Sequence, residues 1–186
     1  MCHKIAGLKI PGCCQIEGYC AKDIRGKFVK FFDCKTLQIA GMELNFKEIF
    51  YTISCKNTLR GIHFQEPRQQ GKLIHCISGH VLDVFVDLRK DSPTFGKWDS
   101  IELSGEHSIS IYLPEGIGHA YLALADSVMC YCCTESFYPE DDTGIIWNDS
   151  DLNIDWPLKC VDREGIILSQ KDQNLQSFRQ WQEKHK

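Results

Sequence analysis

The sequence predicts a single, mainly β domain of the sandwich, barrel or jelly-roll type. Three observations carry that expectation. Short runs with β-like composition recur about every 8–12 residues, separated by Gly, Pro and Ser turns. Helical periodicity is confined to the edges of the chain, and no linker, repeat or low-complexity tract divides it. Its 186 residues suit one domain that buries most of its apolar surface without covalent staples.

In chain order, strands are expected at 26–32, 50–54, 58–64, 72–78, 80–88, 98–103, 108–113, 120–124 and 127–134, with a turn or short helix inside 37–49. The stretch LRGIHFQEPRQQGKL is the most informative. Alternate residues of a strand share a face, so Gly61, His63 and Gln65 point one way while Ile62 and Phe64 point the other. One face is polar and carries a titratable base; the other is apolar. That pattern suits the wall of a pocket, where a solvated strand would show charges and threonines. The run HVLDVFVDL follows a tight SGH turn and alternates less cleanly, with His80 and Asp83 on its polar side. At the tail, Leu175, Phe178 and Trp181 recur at a spacing of three behind a Ser169–Asp172 pair resembling a capping box. This predicts a C-terminal helix over 169–184, laid on a β-core spanning 23–160 of one domain, 1–186.

Composition narrows the function classes. Apolar content of 43% and charged content of 25% are ordinary for a globular chain. A net charge of −4 without a basic run argues against nucleic acid as a partner. No apolar run reaches the ~18 residues needed to cross a bilayer. The eleven cysteines are odd in number, include the adjacent pairs Cys13–Cys14 and Cys132–Cys133, and follow an N-terminus with no apolar signal region. They are expected to be reduced and mostly buried in a cytoplasmic protein. Cys130 and Cys133 have C-x-x-C spacing, but in a strand they face opposite sides, so no zinc or redox use is expected.

Pro114, Gly116 and His119 form P-x-G-x-x-H, the turn that delivers a histidine into the mouth of a cupin-type jelly roll. Metal-binding cupins pair it with His-x-His and a glutamate; here the pattern reads His63-x-Gln65 and then Gln70. Amides are poor ligands for borderline metals, so neither metal nor cofactor is expected. Two histidines sharing such a pocket are suited to moving protons. Beyond these half-motifs the chain resembles the dTDP-4-dehydrorhamnose 3,5-epimerase (RmlC-like) family. The likeness is carried by D-x-R-G at 23–26, LRGIHFQ at 59–65, QGKL at 70–73 and DVFVDLRKDSPTFGKW at 83–98. LPEGIGHAYL at 113–122, GIIWNDSDLNIDWPL at 144–158 and LSQKD at 168–172 extend it over nearly the whole chain.

The resemblance implies a cupin-type jelly-roll barrel with short peripheral helices and a C-terminal helix, assembled as a homodimer. It implies an epimerase inverting C3, C5 or both in a nucleotide-diphosphate 4-keto-6-deoxy sugar, the usual setting being polysaccharide or glycosylated natural-product synthesis. The C4 ketone acidifies the hydrogens on C3 and C5, so such an enzyme needs a base, an acid on the other ring face and positive charge near the enolate oxygen. By resemblance His63 is the base, Asp172 orients it, Tyr131 is the acid and Lys72 stabilises the enolate. Arg60 resembles a diphosphate clamp and Arg25 a phosphate contact reaching across the dimer interface, with Gln65, His119, Glu48 and Phe28 completing the substrate-binding set. From the residues alone, Asp172 also reads as a helix cap, Lys72 as a surface lysine, Tyr131 as a core tyrosine and His119 as a satisfied pocket histidine. Asp83 is a candidate to orient Lys72 or His119, and Trp147 and Trp156 read as packing.

The chain also departs from the family pattern. Where the family runs Y-K-x-T-D-Y-Y, this chain has Tyr131-Cys132-Cys133-Thr134-Glu135-Ser136-Phe137, losing two hydroxyls that help hold nucleotide and sugar. Where the family has F-x-Q-x-N, this chain has Phe46, Glu48 and Phe50. An ionised glutamate is acceptor-only and cannot copy a glutamine on a thymine edge. These departures suggest a base with an amino group in place of thymine, or a single-centre epimerase. A ketoisomerase, or a non-catalytic cupin that only binds a nucleotide sugar, would also fit the pattern.

Overall fold

The computed structural model describes residues 4–39, 41–159 and 165–185. Its strands are β1 (Lys4–Gly7), β2 (Cys14–Glu17), β3 (Tyr19–Asp23), β4 (Gly26–Lys30), β5 (Glu48–Ser54), β6 (Leu59–Gln65) and β7 (Lys72–Ser78). They continue with β8 (His80–Asp87), β9 (Trp98–Ser104), β10 (Ile109–Leu113), β11 (Ile117–Ala123), β12 (Ser127–Cys133) and β13 (Asp142–Gly144). Among the described residues three short helices, α1 (Cys34–Ile39), α2 (Gln170–Gln173) and α3 (Phe178–Lys184), lie at the periphery.

Two antiparallel sheets face each other, ordered β1-β2-β10-β7-β12-β5 and β13-β6-β11-β8-β9. This is the jelly-roll barrel the sequence predicts. Three apolar layers hold it together. Between the sheets lie Ile74, Val81, Phe85, Leu103, Ile111 and Met129. Outside the five-stranded sheet, Leu59, Ile62, Val84 and Val86 are covered by Trp147, Trp156, Phe178 and Trp181. Outside the six-stranded sheet, Leu37 of α1 packs with Ile16, Leu73 and Cys132. Strand β8 is buried on both faces, which is why its sequence lacks a clean alternation.

The single C-terminal helix expected over 169–184 is instead two short helices, α2 and α3. Between them Gln176 bridges Ile145 in parallel, and its carbonyl accepts the Ile146 N–H at 2.9 Å. That pairing extends the chain, and Ser177 restarts the helix through a capping box with Gln180. Helix α1 likewise sits at Cys34–Ile39, earlier than expected.

Two glycines shape the barrel mouth. Gly61 has φ +111°, and a Cβ there would come within 2.5 Å of the His119 carbonyl oxygen. Its absence lets β6 lie close against β11 where the register shifts between His119 and Tyr121, and His63 and His119 become cross-strand partners. Gly116 has φ +79°, and a Cβ there would strike Arg89 Cγ at 2.4 Å. Its turn starts β11 and so sets the height of His119 on the barrel wall.

Candidate active site

A cavity of about 370 Å³ opens between the sheets. Strands β6 and β11 contribute His63, Gln65, His119 and Tyr121 to one wall, and β5, β7 and β12 contribute Glu48, Phe50, Thr52, Lys72 and Tyr131 to the other. Pocket-facing residues alternate on β5 (Glu48, Phe50, Thr52) and from His63 to Gln65 on β6, but Arg60 in place of Gly61 lines the cavity, where the β6–β11 register shifts. Ile62 and Phe64 pack in the outer layer, with Phe64 also touching the cavity.

His63 Nε2 lies 2.5 Å from Asp172 Oδ1. Asp172 is 2% exposed, and burial alone would push its carboxyl up. The hydrogen bond from His63, helped by Ser169 and the Lys171 charge, outweighs burial and holds it below the ordinary carboxylate range. The ionised carboxylate therefore accepts, Nε2 carries the hydrogen, and Nδ1 is left with the lone pair. Asp172 does not cap α2 with its side chain. Ser169 does, accepting the Asp172 backbone N–H at 3.0 Å and fixing the residue that holds His63.

Across the cavity, Tyr131 is 5% exposed. Burial, reinforced by Tyr121 and Asp83, pushes its phenol well above the ordinary range, so it stays protonated. Its ring stacks on Phe50, centroids 4.9 Å apart, and meets His119 edge-on at 5.8 Å. Lys72 lines the cavity half-buried, where desolvation lowers its pKa against the opposing charges of Asp142 and Asp83. His119 Nε2 is 2.8 Å from Asp83 Oδ2, a second and fully buried His–Asp pair. Arg60 donates from Nε to Ser54 Oγ at 3.0 Å and from Nη2 to the Ile53 carbonyl at 3.3 Å, which leaves the rest of its fork for an anion at the rim.

Some site residues are committed to the protein itself. Gln65 lines the cavity, yet its amide donates to the Arg68 and Ser136 carbonyls and accepts the Tyr138 N–H at 2.8 Å. Glu48 Oε2 accepts the Phe137 N–H at 2.6 Å, leaving one oxygen free. Gln70 donates to the Glu135 carbonyl at 2.9 Å. Arg25 and Phe28 do not reach this cavity within one chain. They lie on the exposed β3–β4 hairpin, Arg25 paired with Asp23 at 2.6 Å and Phe28 in edge contact with Tyr19.

Sequence reasoning missed Thr52, Tyr121, Asp142 and Lys171, which also line the cavity. Thr52 follows Glu48 by two alternations on β5 and Tyr121 follows His119 by one on β11, so strand periodicity was the available signal. Lys171 and Asp142 form an ion pair at the rim, joining α2 to β13. Only the adjacency of Lys171 to Asp172 hinted at it. Among the described residues, no group of three or more His, Cys, Asp or Glu side chains is arranged to hold a metal, and the described cysteines are free thiols.

Comparison with known proteins places this geometry. Residues 7–180 match the family model for dTDP-4-dehydrorhamnose 3,5-epimerase. The dTDP-4-dehydrorhamnose 3,5-epimerase of Methanothermobacter thermautotrophicus is 42% identical over 172 residues, covering 92% of each chain. The chain belongs to the dTDP-4-dehydrorhamnose 3,5-epimerase family. Among solved structures, the dTDP-6-deoxy-D-glucose-3,5-epimerase RmlC of Legionella pneumophila, in complex with dTDP-4-keto-L-rhamnose, superposes with a TM-score of 0.88. It is 35% identical, with 94% of this chain and 92% of that one covered. ChmJ, a 3′-monoepimerase of Streptomyces bikiniensis in complex with dTDP-quinovose, gives a TM-score of 0.81 at 32% identity, with 95% of each chain covered. The protein is thus a nucleotide-sugar epimerase, an isomerase. No helix among the described residues is long and apolar enough to cross a membrane.

Proposed function

We propose that the protein epimerises a dTDP-linked 4-keto-6-deoxy sugar at C3 and C5 by proton removal on one ring face and return on the other. The observation that carries this is the pairing of an oriented base and a protonated acid on opposite walls of one cavity. His63 Nδ1 takes the proton from carbon beside the ketone, and the charge on the resulting imidazolium is stabilised by Asp172. The electron pair moves onto the C4 oxygen as an enolate, which the Lys72 ammonium stabilises. Tyr131 protonates the carbon from the far face. Arg60 clamps the diphosphate at the rim. No cofactor takes part in these steps, and free thiols fit a reducing, cytoplasmic setting.

A single-centre reading has its own support: Ser136 and Phe137 stand where the family pattern has tyrosines, so both phenolic hydroxyls are missing, and ChmJ, a 3′-monoepimerase, is a structural neighbour. The carrier reading favours dTDP over an amino-bearing base, because one Glu48 oxygen is taken up by the Phe137 N–H. Incubation with dTDP-, CDP-, GDP- and UDP-linked 4-keto sugars in deuterated water, read by mass spectrometry, tests all of this. Two deuterons entering the dTDP sugar is the expected result; one identifies a mono-epimerase, and none across the panel overturns the enzyme reading.

The proposal extends to a homodimer in which Arg25 and Phe28 of one copy serve the site of the other. Its support is the outer face of β5, where Ile49, Tyr51 and Ile53 are 67%, 64% and 69% exposed, and the projecting β3–β4 hairpin with Ile24 and Phe28 exposed. Dilution to the monomer should cost activity; a fully active monomer would contradict it.

A further inference from the structure

Behind His119, which lines the cavity, lies a buried carboxylate that the proposed reaction does not use. Asp83, on β8, is 0% exposed. Its Oδ2 meets His119, while Oδ1 is buried without a hydrogen-bond partner. Buried orphan acceptors are rare, because each gives up its hydration without compensation. Lys72, on the facing β7, is the complement: a half-buried, cavity-lining cation for which no hydrogen bond or ion pair is formed among the described residues. A neutral amine at that position could not stabilise an enolate, and desolvation drives Lys72 toward that neutral form. Burial drives Asp83 toward its own neutral form, against the charges of His119 and Lys72.

The charged and titratable groups around the two are few. Cys133 on β12, Asp142 on β13, and Lys171 next to Asp172 face Lys72. His119 on β11, Tyr131 on β12 and Cys76 on β7 face Asp83. Of the acids near Lys72, Asp142 is already paired to Lys171, and burial pushes the Cys133 thiol up to about 11, so it is uncharged. Asp83 is the remaining carboxylate with an open oxygen.

We infer that Asp83 is a positioning residue for the reaction, its Oδ2 anchoring His119 and its unpaired Oδ1 supplying the counter-charge for the Lys72 ammonium. Standing off from Lys72 is what makes this useful: a direct salt bridge would take up the N–H groups that must reach the substrate oxygen. The inference rests on the proton-transfer reading above.

Asp83→Asn tests it. The amide is close to isosteric, and its oxygen can still accept from His119, so the charge is the main loss. The alkaline limb of the kcat/KM–pH profile should move down by about one pH unit or more, with dTDP binding retained. A purely structural role would lower activity evenly across pH, and an unshifted limb overturns the inference. A measurement on the wild type covers the case in which the variant does not fold. The Lys72 side-chain nitrogen, followed by NMR and assigned with Lys72→Arg, should remain an ammonium through pH 8 and respond to the titration of the Asp83 carboxyl. A neutral Lys72 at pH 7, or one indifferent to Asp83, overturns it. This titration needs no turnover, so it separates failure of the inference from failure of the epimerase reading, which would show as a wild type that exchanges no deuterium.

Discussion

Replacing Asp172 by Asn tests the proposed base most directly. The pair is short, 2.5 Å from His63 Nε2 to Asp172 Oδ1, and Asp172 is 2% exposed. A hydrogen bond to a charged partner contributes about 1.5–3 kcal/mol, which at ~1.36 kcal/mol per decade is roughly 10- to 160-fold in rate. Asn adds a second penalty. Its amide N–H can donate to Nε2, moving the ring hydrogen to Nδ1 and removing the lone pair that takes the substrate proton. Tautomer reversal of this kind costs about 10⁴-fold in a serine-protease triad, so a loss of about 10²- to 10⁴-fold is expected here. Asp172→Ala offers no donor and should fall less far, about 10- to 10²-fold. Deuterium entry into the 4-keto sugar gives the rate, and calorimetry with dTDP should show unchanged binding because Asp172 faces the imidazole. The Ser169 cap uses only the backbone of residue 172, so α2 should persist in both variants. Asn retaining exchange within about threefold of wild type would refute the dyad.

Three further outcomes follow from the geometry. Tyr131→Phe should suppress inversion by about 10²- to 10⁴-fold while deuterium still washes into recovered substrate, since His63 can return a proton to the face it came from; product NMR separates the two. Arg60→Ala should weaken dTDP binding by about 10- to 100-fold with a smaller change in kcat, read by calorimetry and steady-state kinetics. Asp87 is a stability test. Burial alone would raise its carboxyl, but Arg89, Ser92 and Thr94 donate to it and hold it at about 2, against 3.8 ordinarily. A depressed carboxylate stabilises the fold above its unfolded pKa and ceases to as pH falls through the folded one. About 2 kcal/mol should therefore disappear between about pH 4 and pH 2, and Asp87→Asn should flatten that part of the denaturation curve.

The sequence made the barrel readable because most of its strands carry their own signals. β7 coincides with the expected 72–78, and β6, β8, β9 and β12 differ by a residue or so at their ends. The strands β1, β2, β3 and β13 are not among those the sequence indicates, since pieces such as KIAG, CQIE and DTG are too short to display a period. The C-terminal helix was misjudged because the register of Leu175, Phe178 and Trp181 is indifferent to the break at Gln176, which comes from a bridge to Ile145 far away in sequence. The site follows the same division. His63, Tyr131 and Lys72 lie within recognisable strand motifs. The Asp142–Lys171 pair and the commitment of Gln65 and Glu48 to loop backbone are tertiary facts that no local pattern encodes.

In the proposed mechanism, placing the base and the acid on different sheets has a consequence for how many centres are inverted. C3 and C5 both flank the C4 ketone, so either proton is acidified through the same oxygen, and Lys72 can serve both enolates without moving. His63 and Tyr131 are fixed to their walls: the base by Asp172 and the cap of α2, the acid by stacking on Phe50. What must change between the two inversions is therefore the orientation of the sugar ring, while the diphosphate stays at Arg60. In that reading the ring is bounded by Phe50, Phe137 and Glu48, which line the cavity beside the proposed acid and base. Two of these, Glu48 and Phe137, are also positions where this chain departs from the family pattern. In the proposed mechanism the base and acid are thus common to single and double inversion, and the residues bounding the sugar ring decide between them.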